Sequence, residues 1–596
     1  MFVPSCLHEL LPSHTLTDTS LVASSSIDED TPSSSRRLRS LHSGKVFELV
    51  MSDEFNQQGR SFEPGSDNTW TSLTKPGDSD DGEFQFYNGS TEYVTTKNGS
   101  LVLITKPTKT TWVDFNEAIY DGQETTLNYT SGMLMSWDKF CFTGGALEIS
   151  LQLPGPHNSG GLWPAFWLMG NLAKATNEYS NYWMWPWSYD KCTNESKGQM
   201  ISACNATPGY GLHPYQGRGA PEIDLLEVKP GSWNYAWESD QMEYVEPYLS
   251  TSMQVSPGWP NNGHRPINGA PFNASWGEVW YTGLYQGDTF SSVQNSNYWG
   301  GLCGEPGVGS VSNEYTEDTL SLITHLEETY FSSFHKYRLE WQPGPEGYIE
   351  WYLDDKLVFG VPAEALRNAT GSMIPNEPMY LVANVAMSST WGMPSPCQSS
   401  TVDWGVPNCP ACGICYDCHN PECQCGLPEG MKGCGMFPTE MKIDYVRLYQ
   451  DAEDPLQTMG CSPENFPTSG WIDGHAAWYS DWRPIPFPHD YMYHVVTYYF
   501  FVYMIPSMIL IVGVLYFLKF FDNFEQFCAS QYVHIPSTDN IDPSSLQSYL
   551  RKKWDDLKRT VGYHYHDEKN GGSDKNHHAN IGANHNNNEN QNTIWL

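Results

Sequence analysis

Three carboxylates fall within six residues in Glu222-Ile-Asp-Leu-Leu-Glu227, interleaved with Ile223, Leu225 and Leu226. Side chains alternate faces along a strand, so Glu222 and Asp224 share one face, while regular alternation would turn Glu227 away. One extra residue brings it back, and a β-bulge supplies one. The spacing therefore predicts a bulged strand that presents three acids on one face. Such a set could break a glycosidic bond with retention, which needs a carboxylate nucleophile and a proton-carrying carboxyl about 5–5.5 Å apart. Like charges held so close cannot all ionise cheaply, so at least one pKa rises and makes an acid. The competing reading is a solvated acidic edge. Pro221 and the apolar partners weigh against it.

Upstream lies Gly160-Gly-Leu-Trp163-Pro-Ala-Phe-Trp167-Leu-Met-Gly170. Together the two segments resemble glycoside hydrolase family 16 (GH16), in the longer, bulged form of its laminarinase-like branch. More specifically the chain resembles the Kre6/Skn1 family of β-glucan synthesis-associated proteins. Supporting phrases include Ser52-Asp-Glu-Phe-Asn56, Tyr129-Thr-Ser-Gly-Met133 and Lys139-Phe-Cys-Phe-Thr-Gly-Gly145, followed by Gly347-Tyr-Ile-Glu-Trp-Tyr352, Ile374-Pro-Asn-Glu-Pro-Met-Tyr380, Ala386-Met-Ser-Ser389 and Lys442-Ile-Asp-Tyr-Val-Arg-Leu-Tyr-Gln450. The resemblance runs over residues 45–475.

It implies roles. Glu222 would be the nucleophile, Glu227 the acid and then the base, and Asp224 the group that orients Glu222. Glu227 would need a raised pKa, which apolar neighbours such as Leu225 and Leu226 can provide. Trp163 and Trp167, four apart on an expected strand, share a face, and at least one is expected to stack on a sugar. Asn384 matches a position where the family has an Asn facing the cleft; an ordinary buried amide is the alternative. Gln254 falls near where many soluble members carry a His, a departure that sets this chain apart from simple laminarinases. No catalytic cofactor or metal is expected. A structural calcium follows only by family analogy, with no ligands assigned.

Short alternating runs such as Ser100-Leu-Val-Leu-Ile-Thr105, Ala146-Leu-Glu-Ile-Ser-Leu-Gln152 and Tyr348-Ile-Glu-Trp-Tyr-Leu353 must position these residues. They predict an all-β antiparallel sandwich, and the resemblance implies a β-jelly roll with a carbohydrate cleft. Residues 177–220 and 256–319 are long, Gly/Pro/Tyr-rich stretches expected to wall that cleft. The domain plan is a disordered Ser-rich segment over 1–44 and the β-jelly-roll domain over 45–451. A membrane-proximal collar follows over 452–494, then a transmembrane helix over 495–518 and a cytoplasmic tail over 519–596 with a disordered Asn/His-rich end.

Lys plus Arg total 32 against 69 Asp plus Glu in 596 residues, a net charge of −37. That argues against nucleic acid or anionic membrane surfaces as partners and is compatible with a neutral polysaccharide. Aromatic residues make up 14%, and their flat faces stack on sugars as well as filling cores. The uncharged run Val495 to Leu518 is long enough to span a bilayer at about 1.5 Å per residue. Asn88, Asn98, Asn128, Asn194, Asn205, Asn273 and Asn368 each begin a glycosylation sequon, and all precede the run. Residues 1–494 are therefore expected to be lumenal or extracellular, in the secretory pathway or at the cell surface. Residues 1–44 carry no clear signal peptide, so an upstream signal or anchor is expected.

Eight of the fifteen cysteines lie in one insert over 394–436: Cys397, Cys409, Cys412, Cys415, Cys418, Cys423, Cys425 and Cys434. The Cys-x-x-Cys steps resemble a zinc ribbon, but an oxidising lumen favours four disulfides. Bracing of a loop is the expected role. Cys192 and Cys204 flank a short loop and are expected to pair. Cys141, Cys303 and Cys461 leave one over unless Cys6 joins them.

The expectation is thus a membrane-anchored retaining glycosidase or transglycosylase acting on β-glucan (β-1,3 or β-1,6). The rivals are a silent glucan-binding module and a scaffold in a glucan synthase complex.

Overall fold

The computed structural model describes residues 26–480, less 79–81, 117–120, 176, 183, 237–240, 259–280, 288–291, 295–301, 304–314, 390, 392 and 394–414. Two ten-stranded antiparallel sheets form a sandwich. The active sheet runs in the order Ser292–Gln294, Asp318–His325, Tyr248–Val255, Glu222–Lys229, Trp163–Gly170, Met379–Ala386, Met133–Met135 and Thr71–Ser72, with Cys141–Thr143 and Thr458–Met459 joined at one side. The backing sheet includes Val46–Asp53, Thr439–Gln450, Gly145–Gln152, His335–Gln342, Tyr348–Leu353 and Lys356–Pro362.

Period-two alternation explains the layers. Leu147, Ile149 and Leu151 of the backing sheet meet Phe166, Leu168, Ile223 and Val228 of the active sheet in one core. The opposite face of the active sheet is covered at one end by a second apolar cluster. There Met169, Tyr380 and Val382 pack with Trp185, Trp187 and Tyr189 from the 177–220 stretch, and with Trp471 and Tyr479 from nearer the C-terminus. The long stretch thus has a core of its own that holds it against the sheet.

Two domain boundaries differ from expectation. Residues 26–44 are ordered rather than disordered. Arg37–Arg39 pairs antiparallel with Val46–Asp53, Ser40 Oγ donates to Glu340 Oε2 at 2.6 Å and Leu41 N donates to Glu340 Oε1 at 2.7 Å. Polar partners hold most of this segment, with only Ile27 and Leu38 packing against Phe47, Leu49 and Tyr449, which is why its Ser-rich composition concealed it. Residues 1–25 lie outside the described residues.

The collar, as far as it is described, belongs to the sandwich. Thr458–Met459 pairs with Cys141–Thr143, Cys461 is bonded to Cys141, and the helix Ser469–Gly474 buries Trp471 and Ile472. No described helix is long and apolar enough to cross a membrane. The run 495–518 and the tail fall outside the described residues.

Cys192–Cys204 pairs as expected. In the insert, Cys415–Cys423 and Cys418–Cys434 are bonded and Cys425 is also in a disulfide. Cys397, Cys409 and Cys412 lie outside the described residues. The insert grips the sandwich: Tyr416 stacks on Phe84 with centroids 4.8 Å apart, and Lys109 pairs with Asp417 at 2.9 Å.

Candidate active site

The strand Glu222–Lys229 is bulged where the spacing required it. Its register against Tyr248–Val255 passes from Asp224↔Ser252 to Glu227↔Ser250. Against Trp163–Gly170 it shifts between Phe166 and Trp167. Leu225 and Leu226, the two consecutive leucines, both enter the core. A bulge interrupts the ladder locally, and here Trp351 Nε1 reaches from the backing sheet to donate to Asp224 O at 2.8 Å. The acids sit on the other face, with Asp224 and Glu227 only 2% and 6% exposed.

Both oxygens of Glu222 are held. Trp185 Nε1 donates to Oε2 at 2.6 Å, and Gln254 Nε2 donates to Oε1 at 3.2 Å. Gln254 Nε2 also lies 3.0 Å from Asp224 Oδ2, which accepts in addition from Ser252 Oγ. Gln254 Oε1 is buried and has no hydrogen-bond partner among the described residues. Glu227 Oε1 accepts from Trp163 Nε1 at 3.2 Å, and its Oε2 stands 3.5 Å from Ser252 Oγ.

Burial raises the pKa of Glu222, while hydrogen bonds from Gln254, Trp185 and Asp224 pull it back toward ionisation. Asp224 is pushed well above its ordinary 3.8, first by burial and then by the charges of Glu227 and Glu222. Of these two acids the larger rise falls on Asp224. A protonated Asp224 donates to Glu222 and stabilises that neighbour as the carboxylate, the form a nucleophile needs.

Every residue singled out in the sequence lies on this face. Trp163 contacts Glu227, and Trp167 donates from Nε1 to Asn384 Oδ1 at 2.9 Å. Asn384 Nδ2 donates to the hydroxyl of Tyr87 at 3.1 Å, so Asn384 links three strands' worth of side chains rather than standing alone. Sequence reading missed Trp185, Ser252, Tyr248 and Trp391. Ser252 was within reach, because it alternates with Gln254 on one strand. Trp185 and Trp391 come from non-repetitive stretches where no period marks a face. Trp391 stands 5.5 Å from Trp163 between ring centroids, and Tyr248 meets Trp391 edge-on at 6.0 Å.

A buried brace fixes the approach to the active strand. Arg218 forms a two-pronged pair with Glu377 at 2.7 and 2.6 Å, and its Nη1 donates to Pro467 O at 2.7 Å. Among the described residues the one cluster with metal-ligand geometry is Cys418, His419 and Cys434. Two of its sulfurs are bonded to each other, so it is not a cation site in this state.

A model of the β-glucan synthesis-associated protein SKN1/KRE6/Sbg1 family matches residues 5–399 and 432–494. The β-glucan synthesis-associated protein KRE6 of Saccharomyces cerevisiae is 31% identical over 478 residues, covering 76% of this chain and 53% of that protein. SKN1 of the same organism is 31% identical over 484 residues, covering 77% and 51%. The chain thus spans about half the length of the curated relatives it matches. Among solved structures, the laminarinase catalytic domain from Thermotoga maritima is 18% identical, with a TM-score of 0.35, over 68% of this chain and 99% of that one. With the family model matching well over half of its length, this chain belongs to the SKN1/KRE6/Sbg1 family of β-glucan synthesis-associated proteins.

Proposed function

We propose that this protein is a retaining glycosidase or transglycosylase acting on β-glucan, anchored to a membrane of the secretory pathway or cell surface with its sandwich on the lumenal or outer side. The observation that carries the reading is the state of Glu222. It is clamped at both oxygens and lies beside Asp224, whose pKa burial and the neighbouring carboxylates push well above its ordinary value. A scaffold has no use for a carboxylate desolvated and oriented in this way, and such groups concentrate at catalytic sites.

In this mechanism Glu222 attacks the anomeric carbon and forms a glycosyl ester. Glu227 delivers its proton to the departing oxygen. Asp224, Gln254 and Trp185 hold Glu222 in register and stabilise the carboxylate released in the second step. The emptied Glu227 then takes a proton from the acceptor. Water as acceptor gives hydrolysis; a sugar hydroxyl gives a new glucan linkage.

The reading is tested with the full-length protein and β-1,3- and β-1,6-gluco-oligosaccharides, with products sized by mass spectrometry beside Glu222→Gln and Glu227→Gln. Longer products from wild type that vanish in both variants support a transglycosylase, and shorter products alone a hydrolase. Unchanged oligosaccharides that nevertheless bind would place the protein as a binding module.

A further inference from the structure

Lys229 ends the active strand two residues beyond Glu227 and pairs across the ladder with Tyr248. Alternation puts Glu227 and Lys229 on the same face, and Val228 between them enters the core. On the other flank, Ala165 pairs with Glu227, and Trp163, two residues earlier on the same face, donates from Nε1 to Glu227 Oε1. Lys229 therefore shares its face with Trp163 and Tyr248, the two rings that meet Trp391.

The Lys229 ammonium has no hydrogen-bond or ion-pair partner among the described residues. Burial pushes its pKa below the ordinary 10.5. The buried guanidinium groups of this chain are different: Arg218, Arg338 and Arg447 each sit on a carboxylate, Glu377, Glu148 and Glu54. Among the described residues this amine beside the catalytic face has no carboxylate partner. Lys229 is half-buried, and an amine partly withdrawn from water without a counter-charge gains from a bound anion.

We propose that Lys229, with Trp163, Tyr248 and Trp391, forms a subsite on the Glu227 side of the triplet that takes an acceptor glycan bearing a carboxylate or phosphate. This rests on the reading above, in which Glu227 handles the acceptor hydroxyl. The hydroxyl oxygen attacks the anomeric carbon of the Glu222 ester, its proton passes to Glu227, and Glu222 leaves as the carboxylate. The ionised Glu222 repels an anion from the donor position, so the transferred sugar is neutral. Beyond Glu227 the fixed charge changes sign. The product is a bond between neutral glucan and an anionic glycan.

The test gives the full-length protein a laminari-oligosaccharide donor and three matched acceptors: neutral, ending in glucuronate, and ending in a sugar phosphate. Wild type is expected to join at least one anionic acceptor about tenfold better than the neutral one, as a charge-assisted hydrogen bond allows. The better anionic arm identifies the group. The preference is expected to disappear in Lys229→Met and to survive in Lys229→Arg. Equal use of all acceptors by wild type, or an unchanged preference in Lys229→Met, overturns the proposal. If nothing is joined, the transferase reading has failed separately. Calorimetric affinities of the three oligosaccharides for wild type and Lys229→Met then decide, and equal affinities overturn it.

Discussion

Trp185 donates its indole N–H to Glu222 Oε2 at 2.6 Å across 37 residues of sequence. The contact exists because the stretch between them folds on its own apolar cluster, with Trp187, Tyr189 and Ile201 buried beneath it. Trp185→Phe keeps the ring's packing and removes the donor. Glu222 then loses one of the bonds that offset its burial, so its pKa rises further. Activity needs the carboxylate and is lost as pH falls through that pKa. The variant should therefore lose activity at a higher pH than wild type. Its kcat at neutral pH should fall about 100-fold, the lower end of what losing one preorganised donor costs. A pH–rate profile for both proteins checks this.

Asp224 holds its proton far above 3.8 in the folded chain. Below pH 3.8 folded and unfolded chains are both protonated, and the group contributes no difference. As pH rises, the unfolded chain releases the proton freely while the folded chain does not, so stability is lost. Asp224→Asn removes this penalty. Its melting temperature should exceed that of wild type at neutral pH, with the gain shrinking to nothing in acid. A difference that does not vary with pH would contradict a protonated Asp224.

The bulged triplet was legible from residue spacing, because two successive core-facing leucines leave few ways to keep three acids together. The sandwich was legible from alternation. The partners of the triplet were less so. Ser252 could have been found beside Gln254, but Trp185 and Trp391 reach the site from stretches without periodicity. The ordered segment 26–44 was invisible for another reason: Ser40 and Leu41 are held by the buried carboxylate of Glu340, and composition registers apolar burial but not polar pairing.

Arg218 and Glu377 are 1% and 3% exposed, and they brace the strand entry four residues before Glu222. Arg218→Met leaves the Glu377 carboxylate buried without its partner and should cost about 3–5 kcal/mol. Adding Glu377→Met should return much of that loss. Denaturant unfolding of the single and double variants measures the coupling.

The Cys141–Cys461 bond closes a loop of 320 residues and fastens the C-terminal part of the sandwich. Cys141→Ala with Cys461→Ala should lower stability by about 2–5 kcal/mol. Limited proteolysis should then cut first within residues 452–480, which this bond ties to the strand Cys141–Thr143.

The central claim is that Glu222 becomes covalently glycosylated. A 2-deoxy-2-fluoro-glucosyl donor with a good leaving group slows release of the intermediate. Intact-mass analysis of the full-length protein, followed by peptide mapping, reads the site directly. The account predicts a single fluoroglucosyl adduct on Glu222, formed by wild type and absent from Glu222→Gln. An adduct on another residue, or turnover of β-glucan with no adduct and with inversion at the anomeric carbon, would contradict it.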